Sequence, residues 1–451
     1  MVSYFRELCS IIFLLLFQRV PTILQSNNCA VFLKKIHYSK DDVKVKYTKA
    51  KEFGMTGPLS GYRIIDMTSV VSGPLCTMML GDQGADVIKV ENPDGGDFTR
   101  AMSNRRGGLS APFINNNRSK RSLAVNTKTK KGLEVVKKLV VDADVFIQNM
   151  RPGVINRIGL GEEVIRKINK GIIYVSISGF GETGPFAERP VYDPLVQALS
   201  GLTTIQAGSD DERPRLVRTI VPDKLTGVMA AQAITAALLE RERSGQGQHV
   251  RLSMLDSVIS FLWHSDMGSQ TFVGGEFPQE AAQSFIDLIY ETLDGYISVA
   301  VNTDKQWLNL ANALGHPEWL TDERFKTPAL RHKNINDRLN LTQEVLKTRS
   351  AKDWLQILEA ADVPCAPILR RRDVASHPQV IANQTVQEFP HHVAGQLRQA
   401  RPAATFSRTP SKIKRGAPIL GEHSEEALRK LGYGEGLIKS LIRDGVVGVP
   451  N

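Results

Sequence analysis

One aspartate next to a proline, Asp223, stands where a long helix is predicted to begin, a position in which a carboxylate can do chemistry. Apolar residues at helical spacing predict this helix from Lys224 to Arg241. A carboxylate at a helix start accepts backbone N–H groups, and the helix dipole favours its ionised form. On the residues alone, the default interpretation of Asp223 is a structural N-cap.

The cysteines and histidines form no recognisable motif. The nine histidines show neither HxxxH nor HExxH spacing, so no metal site is predicted. The sequence also lacks a P-loop, a GxSxG elbow and a GxGxxG after a strand, which disfavours nucleotide hydrolysis, α/β-hydrolase chemistry and dinucleotide redox chemistry. Four cysteines without a CxxC pair indicate a reducing compartment rather than a disulfide framework: Cys9, Cys29, Cys76 and Cys365.

The elements around these positions predict an α/β fold. A strand over 63–67, a Ser72-Gly73-Pro74 turn, a helix over 75–80 and a strand over 86–91 make a compact βαβ unit, which implies a parallel sheet. Ligands are expected where such strands end. Further strands are predicted at 122–125, 143–148 and 172–178, with helices at 129–141 and after Pro152-Gly153.

The texture of the sequence changes at about residue 270. A strand follows Asp294-Gly295 up to Val301, and helices are predicted over 305–314 and 354–361. These elements indicate a smaller α+β domain over 270–390. Residues 363–367 are predicted to be a loop, 397–420 a long irregular arm, and 425–431 and 436–443 a final helix pair.

The net charge of +10 comes mainly from the start of the chain. Residues 1–51 carry nine Lys and Arg against three acids, and the other 400 residues carry only +4. Because the bulk is nearly balanced, no nucleic-acid partner and no membrane partner are predicted. A modest local excess of cations beside an anionic ligand fits this distribution better.

The first 55 residues predict a targeting or disordered extension. The apolar run 11–17 is too short to span a bilayer. Basic residues surround it, and Tyr38-Ser39 resembles the context of some mitochondrial cleavage sites, so a mitochondrial (matrix) location is the first interpretation. The alternatives are a secretory signal, which the early Arg19 disfavours, and an untargeted extension that leaves the protein in the cytoplasm.

Seven segments, in order from residue 58 to about 433, resemble the family III CoA-transferases of the CaiB–BaiF type, which include formyl-CoA transferases. The resemblance extends to succinyl-CoA:glutarate transferases. The segments are GYRIIDMTSVVSGPLCTMMLGDQGADVIKVENPDGGDFTR, NRSKRSLAVNTKTKKG, ADVFIQNMRPGVINRIGL, GFGETGPFAERPVYDPLVQALSGL, SGQGQHVRLSMLDSV, VPCAPI and GAPILGEHSEEALRKLGY.

The resemblance implies a Rossmann-like large domain built from both chain ends, a smaller domain and an interlocked homodimer. The corresponding boundaries are 1–55 for the extension, 56–265 and 391–451 for the large domain, and 270–390 for the small one. It also implies CoA transfer from an acyl-CoA to a free carboxylic acid, with CoA as substrate and with no permanently bound cofactor. The succinyl-CoA:glutarate transferases suggest a pair of dicarboxylates as the acids.

The resemblance further implies roles for particular residues. Asp223 matches the nucleophile, and Tyr192 and Asp193 match a substrate pocket. Many family members have Gln where Val71 stands, so a side-chain hydrogen bond is lost there. The implied CoA-binding positions are Val71, Ser72, Asn92, Val125, Lys128, Asn149, Met150 and Arg157.

Simpler interpretations remain open for several of these residues. Lys128 and Arg157 suit CoA phosphates chemically but also suit a solvated helix face. Tyr192 and Asp193 also suit a packed aromatic and a turn residue. Two other functions are open: α-methylacyl-CoA racemase, which a Tyr in place of the His of racemases disfavours, and a non-catalytic CoA-binding protein.

Overall fold

A seven-stranded sheet forms the centre of the computed structural model, which describes residues 57–274 and 288–450. Its strands are short, and nearly all residues of its five inner strands are buried, as expected of strands that are covered on both faces. The strands of the described residues are β1 (Arg63–Asp66), β2 (Asp86–Glu91), β3 (Arg105–Arg106), β4 (Leu109–Ser110), β5 (Lys120–Val125), β6 (Val145–Gln148), β7 (Ile173–Ser178), β8 (His249–Ser253), β9 (Ile289–Glu291), β10 (Tyr296–Val299), β11 (Cys365–Pro367), β12 (Val386–His391), β13 (Gly395–Ala400) and β14 (Val447–Gly448).

The strand order in the central sheet is β14-β5-β2-β1-β6-β7-β8. All its neighbouring pairs are parallel except β14 with β5, where Val447 pairs with Val125. Without β14, this order is that of a doubly wound Rossmann sheet. Successive strands are added on one side of β1 up to β5 and on the other side from β6 onwards, so the switch point lies between β1 and β6. The predicted α/β class with a parallel sheet is confirmed.

Helices cover both faces of this sheet. In chain order, the α-helices of the described residues are α1 (Ser72–Asp82), α2 (Ala111–Asn117), α3 (Lys130–Val141), α4 (Val154–Ile158), α5 (Glu162–Ile168), α6 (Asp193–Leu199), α7 (Leu202–Ala207), α8 (Val221–Ser244), α9 (Met254–Trp263), α10 (Asp304–Leu314), α11 (Pro328–Lys333), α12 (Ile335–Leu346), α13 (Ala351–Ala360), α14 (Pro378–Ala382), α15 (Ser424–Lys430) and α16 (Glu435–Arg443).

Successive strand residues face two separate hydrophobic cores, because side chains alternate along a strand. Ile65 and Phe146 belong to the core covered by α3, α15 and α16. Ile64 and Val145 belong to the core covered by α1 and α8. The C-terminal helices therefore help to bury the same sheet that the N-terminal strands begin.

Residues 288–367 build a further core around the antiparallel sheet β11-β10-β9. Trp307 of α10 stacks on Trp319 with ring centroids 5.9 Å apart. The prediction of a loop over 363–367 is wrong at Cys365–Pro367, which pairs with β10. An edge strand tolerates proline because one side of it needs no N–H donors, and only the tertiary pairing reveals the strand.

The predicted irregular arm is confirmed for 401–420 but is wrong for 397–400, which belong to the hairpin β12-β13. The final helix pair is confirmed to within one residue at each boundary. The described residues all belong to one compact unit. None of their helices has the length and apolar character needed to cross a membrane. The predicted targeting extension, 1–55, lies outside the described residues.

Candidate functional site

The carboxyl edge of four neighbouring parallel strands gathers the CoA-binding positions predicted from the sequence. In the order β5-β2-β1-β6, the chain leaves each strand at this edge. The crevice of a doubly wound sheet lies at this edge, at the switch point between β1 and β6. The residues placed here are Val125 and Lys128 after β5, Asn92 after β2, Val71 and Ser72 after β1, and Asn149, Met150 and Arg157 after β6.

Asp223 reaches this edge because α8 crosses α1 at close range. A Cβ on Gly227 would lie 2.7 Å from the carbonyl oxygen of Ser72. Only glycine allows the two backbones to approach this closely. Asp223 lies about one helical turn before Gly227, so the crossing places its carboxylate beside the first residue of α1.

The N-cap interpretation of Asp223 is wrong. The helix starts at Val221 with Ile220 as its N-cap, so Asp223 is the third helical residue, and no side chain caps this end. Its own backbone N–H donates to Oδ2 of Asp193, 3.2 Å away. The carboxylate that accepts a hydrogen bond from this helix end is therefore that of Asp193.

The environment of Asp223 changes its acidity. Burial and, to a lesser extent, the neighbouring Asp193 carboxylate raise its pKa to about 6. The backbone N–H of Ser72 opposes this rise by hydrogen bonding to the charged form. With a pKa of about 6 the carboxylate is mostly ionised at pH 7. Its pKa is nevertheless raised, whereas the predicted position at the helix start would have lowered it.

Asp193 and Tyr192 occupy different environments although they are adjacent. Asp193 is 4% exposed, whereas Tyr192 is 72% exposed. The Asp193 carboxylate also accepts a hydrogen bond of 2.6 Å from Nε2 of Gln197, whose Oε1 accepts the N–H of Val217. Asp193 therefore ties the start of α8 to the segment that precedes it.

The side chain of Asn149 is already engaged within the protein. Its Oδ1 accepts the N–H of Ser69 at 2.9 Å, and its Nδ2 donates to the carbonyl oxygen of Ser69 at 2.8 Å. The amide that the sequence assigned to CoA thus holds the loop between β1 and α1. At the end of that loop, Val71 is the N-cap residue of α1, and Ser72 is buried.

Two more predicted positions offer mainly their backbone. Val125 packs its side chain in the core below α3. Asn92 is exposed, and its Oδ1 accepts the N–H of Asp94 within its own turn. Contacts from these residues to a ligand would come from main-chain atoms or from the outer side of a turn.

Lys128 and Arg157 are two of the exposed cations at this edge. Both are exposed, and neither has an ion pair with the residues that the structure describes. Lys128 lies in the turn between β5 and α3, and the Arg157 guanidinium folds back towards Gly153. The two side chains lie beside strands at either end of the row β5-β2-β1-β6.

Met150 lines a cavity of about 560 Å³ at the end of β6, which extends along β7 and the first half of β8. Its N–H donates to Gln148, which contacts Ser176, and Ser176 lies 2.8 Å from Nε2 of His249. This polar row and Gln197 were not predicted. Gln197 could have been found from its i+4 spacing to Asp193, whereas the row needs the strand order, because its members are far apart in sequence.

The chain is similar to known proteins over most of its length. The model of CoA-transferase family III matches residues 59–424. The succinyl-CoA:glutarate CoA-transferase of Mus musculus is 34% identical over 403 residues, which cover 86% of this chain and 90% of that protein. The succinate–glutarate CoA-transferase of Agrobacterium fabrum is 36% identical over 387 residues, which cover 83% and 96% respectively.

A solved structure also resembles this fold. The crystal structure of a CaiB/BaiF family protein from Brucella suis aligns with a TM-score of 0.72 at 32% sequence identity. The alignment covers 83% of this chain and all of the other. The family resemblance inferred from the seven segments is confirmed.

Proposed function

The chain belongs to CoA-transferase family III and is an enzyme that transfers CoA, and we propose that Asp223 is its covalent nucleophile. The observation that carries this proposal is the position of the Asp223 carboxylate, partly buried beside the backbone N–H of Ser72 at the carboxyl edge of the sheet. The carboxylate is mostly ionised at neutral pH, which is the form that attacks a carbonyl.

The reaction begins when an Asp223 oxygen attacks the thioester carbonyl of the acyl-CoA. The C–S bond breaks, which gives a mixed anhydride and the CoA thiolate. The thiolate then attacks the aspartyl carbonyl, releases the first carboxylate and forms an aspartyl-CoA thioester. The acceptor carboxylate attacks this thioester and expels the thiolate, which attacks the acceptor acyl carbon and restores Asp223 as a carboxylate.

The surroundings of Asp223 suit this sequence. Partial burial limits the water that could hydrolyse the anhydride or the thioester. The backbone N–H of Ser72 can stabilise negative charge that develops on the aspartyl carbonyl oxygen. The acyl groups pass only between thioesters and anhydrides, and the reaction starts and ends with one thioester and one free carboxylate. No external energy source is therefore needed.

Acyl-CoA binds along the carboxyl edge. Lys128 and Arg157 meet the 3′-phosphate and the pyrophosphate, for which cationic side chains are suited. The four strands β5, β2, β1 and β6 span about 14 Å at ordinary strand spacing, so an extended CoA can contact the loops of all four. Val71, Ser72, Asn92 and Met150 supply the remaining contacts.

Dicarboxylates are the proposed substrates, with a succinyl-CoA donor and glutarate among the acceptors. Support comes from the activities in the names of the mouse and Agrobacterium relatives. Arg213, Arg215 and Arg218 are exposed in the segment before α8 and could bind a second carboxylate near Asp223. We propose that the enzyme acts in the mitochondrial matrix, because its N-terminal segment is basic.

The proposed assembly is an interlocked homodimer with a large domain formed by both chain ends and a small domain over 270–390. The C-terminal strand β14 and helices α15 and α16 join the N-terminal sheet. Tyr192, Leu195 and Leu199 leave an apolar face of α6 exposed in one chain, which a second chain would cover. Sedimentation at micromolar concentration should give a dimer that does not dissociate on dilution.

Mass spectrometry of a reaction panel tests the activity. The protein is mixed with succinyl-CoA and one free acid at a time: glutarate, adipate, oxalate, acetate and a no-acid blank. We expect glutaryl-CoA to form much faster than acetyl-CoA or oxalyl-CoA, with succinate released in equal amount. Transfer to monocarboxylates alone would refute the substrate class, and deuterium entering the α-carbon of a 2-methylacyl-CoA without transfer would indicate a racemase instead.

A further inference from the structure

The loop between β1 and α1, residues 67–71, has its backbone held by side chains from other elements. We call this segment the β1–α1 loop. Ser69 is held at both its N–H and its carbonyl by Asn149. The carbonyl oxygen of Thr68 accepts from Nζ of Lys89 at 2.8 Å, and the N–H of Val70 donates to Oδ1 of Asp97 at 3.3 Å.

Lys89 is fully buried in the middle of β2 and is charged. Burial works against the ammonium, but the carboxylates of Asp66, Asp97 and Glu91 outweigh it and raise the pKa of Lys89. Its Nζ lies 2.9 Å from Oδ2 of Asp97. A buried ion pair needs further hydrogen bonds to offset its desolvation, and here the bond to the carbonyl of Thr68 couples the pair to the β1–α1 loop.

These bonds hold the loop in a conformation that its sequence disfavours. Val70 has a φ of 72°, and a β-branched residue in the left-handed region is strained. Such a residue keeps this conformation only where its surroundings impose it. The loop leads within two residues to Ser72, whose N–H interacts with the Asp223 carboxylate.

We propose that Asn149 and Lys89 are positioning residues, which hold the β1–α1 loop so that the Ser72 N–H is directed at Asp223. The inference rests on the proposed function, in which Asp223 is the nucleophile. It gives the Asn149 side chain a role inside the protein, because its amide oxygen and its amide nitrogen each make a hydrogen bond to the backbone of Ser69. Neither residue touches the reacting atoms.

The pH dependence of kcat/KM reports the position of the loop. Its acid limb, the fall in kcat/KM at low pH, follows the protonation of Asp223. Two groups on the elements packed against Asp223 affect its pKa: the Asp193 carboxylate on α6 and the Ser72 amide on α1. On α8 itself, the ammonium of Lys224 donates to Thr219. If the loop shifts, the Ser72 amide no longer stabilises the ionised carboxylate against burial and the Asp193 charge, so the pKa of Asp223 rises further.

The main test compares Asn149→Ala with Asn169→Ala. The Asn169 amide also clamps backbone atoms, at Val140, Ala143 and Gly171, but at the opposite edge of the sheet. For Asn149→Ala, we expect the acid limb of kcat/KM to move up by about one pH unit, the size of one lost hydrogen bond to a charged group. We also expect kcat to fall about tenfold, with little change in the KM for acyl-CoA. Asn169→Ala should leave the limb in place.

A second pair of variants tests the buried cation. Lys89→Met should move the acid limb in the same direction. Arg121→Met, which removes a buried cation bound to Asp86 at the amino edge, should lower Tm without moving the limb. Because Asn149 is only half-buried, its variant keeps the test informative if Lys89→Met does not fold.

The contrary outcomes are distinct. A raised KM for acyl-CoA with an unmoved limb in Asn149→Ala would make Asn149 a CoA ligand and overturn the positioning role. An effect equal to that of Asn169→Ala would make it merely structural. Asp223→Ala, measured alongside, separates the two levels: retained turnover refutes the nucleophile itself, whereas lost turnover with an unmoved limb in Asn149→Ala refutes only the positioning.

Discussion

Replacing Asp193 with asparagine removes the charge nearest to the nucleophile while keeping the shape of the side chain. The Asp193 carboxylate accepts hydrogen bonds from the backbone N–H of Asp223 at 3.2 Å and from the side-chain Nε2 of Gln197 at 2.6 Å. An asparagine has one acceptor oxygen, so one of these two donors loses its partner. The variant should therefore be less stable by about 1–3 kcal/mol, yet its nucleophile should be more acidic.

The size of the pKa change follows from its causes. The pKa of Asp223 rises from 3.8 to about 6, first through burial and second through Asp193. Because burial contributes more than the charge, Asp193→Asn should lower the pKa by about one unit or less, equivalent to at most about 1.4 kcal/mol. The acid limb should move from near pH 6 to near pH 5.

The assay is kcat/KM for acyl-CoA between pH 4.5 and 8, followed by formation of the product thioester. Asp211→Asn is the control, because it removes an exposed carboxylate from the same region and leaves Asp193 in place. An acid limb that stays at the same pH in Asp193→Asn, or moves up, would refute the electrostatic reasoning. If the acid limb moves by the same amount in Asp211→Asn, the shift results from the net charge of the protein and not from Asp193.

Three other predictions follow from the same contacts. Lys128→Ala and Arg157→Ala should each raise the KM for acyl-CoA about tenfold to a hundredfold, since a charge-assisted bond contributes about 1.5–3 kcal/mol; an equal rise in the KM for the free acid would reject a phosphate contact. Gly227→Ala should lower both Tm and kcat because its Cβ would lie 2.7 Å from a carbonyl oxygen, whereas Gly436→Ala has open space and should do neither. Asp223→Asn should raise Tm by about 2 °C at pH 7. The native pKa of Asp223 is about 6 and exceeds the unfolded value of about 3.9, so the ionised carboxylate destabilises the native state. In thermal melts the gain in Tm should disappear below about pH 4, and a gain that persists there would contradict the direction of the pKa shift.

The sheet could be predicted from the sequence because several of its strands contain short apolar runs that stand between turn residues. Arg63 to Asp66 and Asp86 to Glu91 stand out in this way. The strand Cys365–Pro367 could not be found, because prolines at 364 and 367 are typical of a loop. Its pairing partner also lies about 70 residues away. Local patterns identify strands that fill a core, but not edge strands that depend on a distant partner.

The sequence predicted which positions meet at the site, but not which of their side chains are engaged within the protein. The strand ends placed Lys128, Arg157 and Asn149 at one edge, as the parallel sheet requires. The sequence could not reveal that the Asn149 amide faces Ser69 or that Lys89 is fully buried. Both depend on the pairing of β1 with β2 and with β6, which brings together residues up to 80 positions apart.

Trapping the covalent intermediate tests the nucleophile most directly. The protein is incubated with acyl-CoA, treated with hydroxylamine or borohydride, digested and mapped by mass spectrometry. The modification should lie on Asp223, and Asp223→Ala should retain CoA binding but lose turnover. A modification on Asp193, or an Asp223→Ala rate above about one per cent of the unmodified rate, a loss below about 2.7 kcal/mol, would contradict the account.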